Sequence, residues 1–398
     1  MPKSIKSRSA HASRKYQAID VSDMTGGVDL RRAPSLLGPD RSRTMRNFAL
    51  TNPGELVIRP GYRQFSTTNL GNARVRGAQR VYLQSTTFTR LAWTGAVYGL
   101  TDGGVLDSTA LYSTIASTSE VFFPYDRELV AVMDGANRPR KSTDGVTWTL
   151  MGIDAGSSAS VTSSVSSGSL SASEFEVAAT FKDRGTGHES NGSPVSTLTL
   201  GATGAIHVTV SNSTDAQTDA IVLYARNKTA AETVLRKVSS AAQQGGAGSN
   251  STYRIESSAW SANAEIPTNH NAPLAFKFAV PWKNRWWAAH PTVGNRIHFT
   301  ELFLNQAWPT LFYIDIPFER GDEIHAIVPQ GDTLLVFGRT KVFLIIGQTS
   351  LDFEVRPSAG AQAGALGFRA VCVIENGVIH AASEGVFIFD GATDKYLG

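Results

Sequence analysis

The sequence holds one cysteine, Cys372. No internal disulfide can staple the fold, so its stability must come from burial. Cys372 lies in the apolar, β-rich run "RAVCVIENG" and is expected to be a buried structural thiol rather than a nucleophile. Charge is sparse as well, at 18% Asp, Glu, Lys and Arg. The net charge of +3 is nearly neutral, which argues against a strong nucleic-acid binder overall. No apolar run reaches the length of a membrane span. The basic start "MPKSIKSRSAHASRKYQ" is followed by no apolar segment. It is therefore not expected to be a secretory signal, and the chain is expected to be soluble and made in a cytoplasm.

Signatures of chemistry are also missing. The eight histidines are dispersed, and none makes an H-x-H or H-x-x-x-H pair, so no metal site is expected. The G-x-S-x-G elbow of serine hydrolases is absent. "GTGHESNG" sits in no strand-then-helix context and reads as a loop rather than a phosphate cradle. Arginines, tyrosines and carboxylates are present, but no local pattern assembles a glycosidase site from them. We therefore expect no catalytic residue, no cofactor and no enzyme.

What is present is a β vocabulary. The 36 glycines, with many serines and threonines, favour short strands joined by tight turns. The stretch "KSTDGVTWTLMG" resembles the Asp-box turn that decorates β-propellers, one spacer residue short. Asp144-Gly145 is a hairpin signal, Ser142 and Asp144 can bond nearby backbone donors, and Trp148 can fold over the turn. These four residues are expected to be structural. A strand, a Gly or Asn turn and a second strand then keep returning. Taking Leu91, Leu129, Trp286, Leu334 and Val378 as equivalent gives steps of 38, 157, 48 and 44 residues. Apart from the long step, this is the spacing of propeller blades.

The long step holds an insertion. Residues 154–173, "DAGSSASVTSSVSSGSLSAS", read as a flexible Ser/Gly-rich linker. Behind it lie alternating segments such as "EFEVAATFKD", "AIHVTVSNS" and "AIVLYARN". About a hundred residues of such strands read as a small antiparallel sandwich. The aromatic run "VPWKNRWWAAH", with Trp282, Trp286 and Trp287, is expected to fill a core or an interface rather than to bind sugars, and so is "FTELFLNQAWP". The fold class is thus all-β, a propeller interrupted by a sandwich. The chain divides into an N-terminal arm and wrapping segment (1–64), a leading propeller segment (65–155), the insert (156–264) and a closing propeller segment (265–398).

Three stretches together resemble the β-propeller tail proteins of tailed bacteriophages, most of all the nozzle proteins of short-tailed phages. They are "GGVDLRRAPSLLGPDRSRTMRNFALTNPGELVIRPGYRQF", "NRWWAAHPTVGNRIHFTELFLNQAWPT", and "DEIHAIVPQGDTLLVFGRTKVFLIIGQTSLDFEVRP" with "GVIHAASEGVFIFDG". The insert resembles fibronectin-III or immunoglobulin-like modules. The resemblance implies a virion structural protein in a hexameric ring, forming a gated conduit for genome ejection. Its implied partners are other copies of itself, a tail adaptor near the portal, tail fibres or spikes, and transiently the double-stranded DNA in the lumen. The arm is basic and poor in periodicity, so it is expected to order against a neighbour, with Arg31, Arg32, Arg41, Arg43 and Arg46 as contacts. The alternatives are a receptor- or glycan-binding propeller at the tail tip and a sialidase-like glycosidase.

Overall fold

A computed structural model describes residues 74–397, with 85, 103–104, 108, 117–118, 165–166, 261, 362 and 376 excepted, and the backbone of four short strands before them. The chain divides into two compact units, 1–63 with 396–398 and 64–395. In the first, Gly27–Val28 pairs in parallel with Arg41–Ser42, and Phe48–Asn52 pairs with Glu55–Ile58 in antiparallel fashion.

The second unit is built from small antiparallel sheets that succeed one another along the chain. Blade 1 comprises Val75–Tyr82, Thr87–Trp93 and Ala96–Leu100. Its second turn is Thr94-Gly95, both at positive φ, as a two-residue hairpin loop of this hand demands. Blade 2 comprises Val130–Val132, Arg140–Ser142 and Thr149–Leu150, with bridges from Phe122 to Met133 and from Tyr125 to Val130 adding an inner edge. Blade 3 holds Ala279–Trp282, Arg285–Ala289, Arg296–Phe299 and Tyr313–Asp315. Blade 4 holds Ala326–Gln330, Thr333–Phe337, Val342–Ile346 and Glu354–Pro357. Blade 5 holds Val371–Ile374, Gly377–Ala382, Gly385–Phe389 and Asp394–Tyr396.

Among the described residues, contacts between the inner strands run around a common axis. Val121 N–H donates to Arg76 O, joining blades 2 and 1. The rings of Phe122 and Phe278 meet at 5.8 Å, joining blades 2 and 3. The first strands of blades 3, 4 and 5 pack side by side. Arg369, in the 3-10 turn Phe368–Ala370 that leads into blade 5, donates to Arg76 O and so returns to blade 1. Its guanidinium also pairs with Glu120 at 2.5 Å, and Glu120 pairs with Arg74 at 2.6 Å. This is a β-propeller. Near the inner strands, the Phe368 ring lies 4.8 Å from that of Phe122 and 4.7 Å from that of Phe278.

Between blades 2 and 3 the chain leaves to form a sandwich. One sheet has Ala205–Ser211 between Ser160–Ser164 and Asn250–Ile255. The other has the order Ser196–Thr199, Glu174–Lys182, Ala220–Asn227, Arg236–Ala242. Inward residues of both sheets share one core with Phe175, Leu223, Ile206 and Trp260, and Phe175 meets Trp260 edge-on at 6.3 Å. Burying each such large side chain contributes about 1.5–3 kcal/mol.

Two expectations are corrected here. The Ser/Gly-rich stretch 154–173 is not wholly a linker, because Ser160–Ser164 is a sandwich edge strand. Pairing with Ala205–Ser211 satisfies its backbone, and one apolar residue, Val161, packs against the core. Cys372 is exposed, not buried. It lies on the first strand of its blade, whose middle residues Cys372 and Val373 both face outward to solvent.

Candidate functional site

The Asp-box stretch closes on itself. Ser142 Oγ lies 2.9 Å from Asp144 Oδ1, and Gly145 N–H donates to Ser142 Oγ at 2.7 Å. Val146 and Thr147 N–H both donate to Asp144 Oδ1 at 2.8 Å. Burial alone would push the Asp144 carboxyl up, but these amides and the Ser142 and Thr147 hydroxyls outweigh it and hold it below the usual range. Trp148 is buried in the core shared by blades 1 and 2. The turn is also tied to blade 1: Arg90 Nε donates to Gly145 O at 2.8 Å, and its guanidinium stacks 4.0 Å over Phe88.

Gly145 has φ +76, and a Cβ there would fall 2.5 Å from Phe88 Cζ and 2.6 Å from Arg90 Nη2. Gly145→Val therefore adds left-handed strain to overpacking, about 2–3 kcal/mol in all. Urea denaturation should show the lower midpoint; an unchanged midpoint would mean the turn relaxes freely.

Of the candidate contact arginines, Arg31, Arg32, Arg43 and Arg46 lie outside the described residues. Arg41 lies in the two-residue strand Arg41–Ser42, of which the backbone alone is described. Trp282, Trp286 and Trp287 are all buried. Trp287 stacks on Phe299 at 4.7 Å, and Trp286 Nε1 donates to Asp126 Oδ2 at 2.7 Å. "FTELFLNQAWP" divides: Phe299 and Trp308 are buried, whereas Leu302, Phe303 and Leu304 are exposed.

That exposed turn stands between two clefts. The first, of about 370 Å³, lies between residues 126–128 of blade 2 and the Lys283-Asn284 turn of blade 3, with Trp286 on its wall. The second, of about 360 Å³, lies between Glu128 and the sandwich loop 185–188, with Asn305 and Gln306 behind. Glu128, Phe303 and Asn305 line both. Asn305 is held by Asp126, to whose Oδ2 its Nδ2 donates at 3.1 Å.

The sandwich meets the propeller through buried polar groups. Lys141, beside the Asp-box turn, has its Nζ 3.5 Å from Asp183 Oδ2. Burial lowers its pKa, and Asp183 only partly offsets this. Gln217 Nε2 donates to Gly152 O at 2.9 Å, and Arg138 bonds Met151 O, Gly152 O and Asp154 where the chain leaves the propeller. His188 stacks on His270 at 5.6 Å, and His270 Nδ1 lies 2.7 Å from Glu189 O. Since a carbonyl only accepts, that Nδ1 carries the proton. Burial drives the His188 pKa down to about 3, and the neighbouring His270 and Lys141 add to the effect. The pairings of Lys141 with Asp183, Gln217 with Gly152, and His270 with His188 and Glu189 had no local sequence signal, because the partners come from separate domains.

Among the described residues no group of three or more His, Cys, Asp or Glu is placed to hold a metal ion. No helix among them is long and apolar enough to cross a membrane.

No protein-family model matches the chain, and no curated protein matches it. Solved structures similar in fold include apo AztD from Citrobacter koseri, at 9% identity, covering 80% of this chain and 84% of that one, TM-score 0.31. A second AztD structure from Citrobacter koseri follows at 8% identity, 80% and 85% coverage, TM-score 0.29. The C-terminal WD40 domain of Sif2 follows at 13% identity, 73% and 72% coverage, TM-score 0.23. These likenesses are loose, and the propeller description rests on the order and contacts of the sheets.

Proposed function

We propose that the chain is a non-enzymatic structural protein of a bacteriophage tail, a nozzle-type subunit that assembles as a hexameric ring through which the genome leaves. The observation that carries this reading is the order of the resembling stretches along the chain. A wrapping segment comes first, then propeller sheets, an inserted immunoglobulin- or fibronectin-III-type sandwich, and the last blades. The inner strands of one subunit bring Phe122, Phe278 and Phe368 together, and in this reading the conduit is the lumen of the ring rather than a channel through one subunit. A near-neutral chain suits a lumen that must release DNA, since dense positive charge would retain phosphate.

In this reading Arg31, Arg32, Arg41, Arg43 and Arg46 contact carboxylates of the adjacent copy or of the adaptor above the ring. Removing residues 1–46 should leave a folded propeller by circular dichroism and abolish incorporation into tails, scored by immunoblot of purified virions. Normal incorporation and infectivity would remove the idea.

A further inference from the structure

We propose that the second of the two clefts flanking Phe303 binds a neutral sugar chain, with the Phe303 ring as the stacking platform at its rim. This holds whether or not the chain sits in a tail.

Three observations lead there. The Phe303 side chain is 70% exposed while its backbone sits at φ 59, a left-handed conformation that a bulky residue adopts only under constraint. The constraint is built: Phe303 N–H donates to Asn284 O at 3.0 Å, from a hairpin turn whose Lys283 and Asn284 are themselves at φ 48 and 56. Backbone strain that holds an aromatic ring out in solvent points to a use for that ring outside the fold. Second, both clefts are of the size that takes a small ligand, and Phe303 and Asn305 border each. Third, two residues of the second cleft's lining hold unpaired polar atoms just beneath its surface. His188 and Gln306 are each only 5% exposed and line it, yet His188 Nε2 and Gln306 Oε1 have no hydrogen-bond partner among the described residues.

The ligand class follows from the lining. Among the described residues, Glu128 is the one carboxylate of the second cleft, and no Lys or Arg lines it. Its burial leaves His188 uncharged at neutral pH. In the second cleft an anionic group would meet Glu128 with no cation in the lining to balance it; the first cleft differs, since Arg127, Lys283 and Arg285 line it with Asp126 and Glu128. The hydroxyls of Thr143 and Thr186 and the amides of Asn305 and Gln306 both donate and accept, as sugar hydroxyls do. The apolar face of a pyranose ring supplies what an exposed aromatic ring lacks.

Saturation-transfer NMR on the full chain tests this, with maltohexaose and chitohexaose as neutral probes and a heparin-derived hexasaccharide as the anionic one. At least one neutral probe should receive saturation, and Phe303→Ala should weaken its binding by about tenfold or more. Phe303→Gly, which tolerates the left-handed backbone, should keep or raise the melting temperature while losing the same binding. Absence of transfer to both neutral probes, equal transfer to the heparin fragment, or transfer unchanged in both variants would overturn the proposal.

Discussion

Replacing His380 with alanine should cost about 3–5 kcal/mol of folding stability, the usual penalty for stripping one partner from a buried pair. His380 is fully buried between the rings of Phe337, at 5.2 Å, and Phe387, at 5.5 Å. Its Nδ1 lies 2.8 Å from Gly364 O, which can only accept, so that nitrogen carries a proton. Its Nε2 lies 2.9 Å from Asp394 Oδ1, and both side chains are 0% exposed. The Asp394 carboxylate also accepts from Ala363 N–H at 3.2 Å, so the pair ties the second strand of blade 5 to its last strand and to the chain arriving from blade 4. Alanine would leave a carboxyl group in an apolar shell together with a ring-sized void. The double variant His380→Leu with Asp394→Leu removes both polar groups and should recover much of the loss. Denaturant midpoints for the two would check this; equal losses would show that packing, not the carboxylate's lost histidine partner, sets the cost.

That pair also marks what the sequence could and could not disclose. The blade spacing was legible because each blade repeats one pattern, and the five equivalent positions fall coherently. Leu91, Trp286, Leu334 and Val378 lie on the second strand of their blades, and Leu129 immediately precedes Val130–Val132. The turn at Ser142 and Asp144 was legible for the same reason: its hydrogen bonds span two or three residues. His380 and Asp394 are 14 residues apart, and Lys141 and Asp183 are 42 apart in different domains. Only the folded chain brings them together. The edge strand Ser160–Ser164 was hidden by composition, since an edge strand packing little more than one apolar residue looks like a linker. Cys372 departs from its expected burial because the middle of its strand is uncovered on both faces: Val373, which points the other way, is exposed as well. Phe303 carried no signal because its neighbours Phe299 and Trp308 do belong to the core, and positive φ at a phenylalanine leaves no mark in composition.

Acidification should destabilise the chain from about pH 6.5 downward, before most carboxylates titrate. The cause is histidines held neutral in the fold, His188 and His298 most strongly, with His290 shifted down by burial in the same direction. Burial, with His270 and Lys141 nearby, sets the His188 pKa at about 3 against an ordinary 6.5. Burial, with His290 and Arg296 nearby, sets that of His298 at about 4, and its Nε2 has no partner among the described residues to share a proton with. The sign follows from which state binds the proton. Above pH 6.5 neither state is protonated at these groups and their full contribution is present. As the pH falls, the unfolded chain takes up protons that the folded chain refuses, so stability drops by up to about 1.4 kcal/mol per pH unit for each group. The loss is complete only when the folded pKa values, about 4 and about 3, have been passed. Depressed carboxylates such as Asp144 and Asp183 act in the same direction, but at lower pH, so the interval between about pH 6.5 and 5 isolates the histidines. His188→Gln keeps a polar side chain at the junction and cannot titrate. Urea midpoints measured across that interval should fall less steeply for the variant than for the native chain. Parallel slopes would show that His188 takes up its proton in the folded state as readily as in the unfolded one, and that the junction is wetter than its geometry indicates.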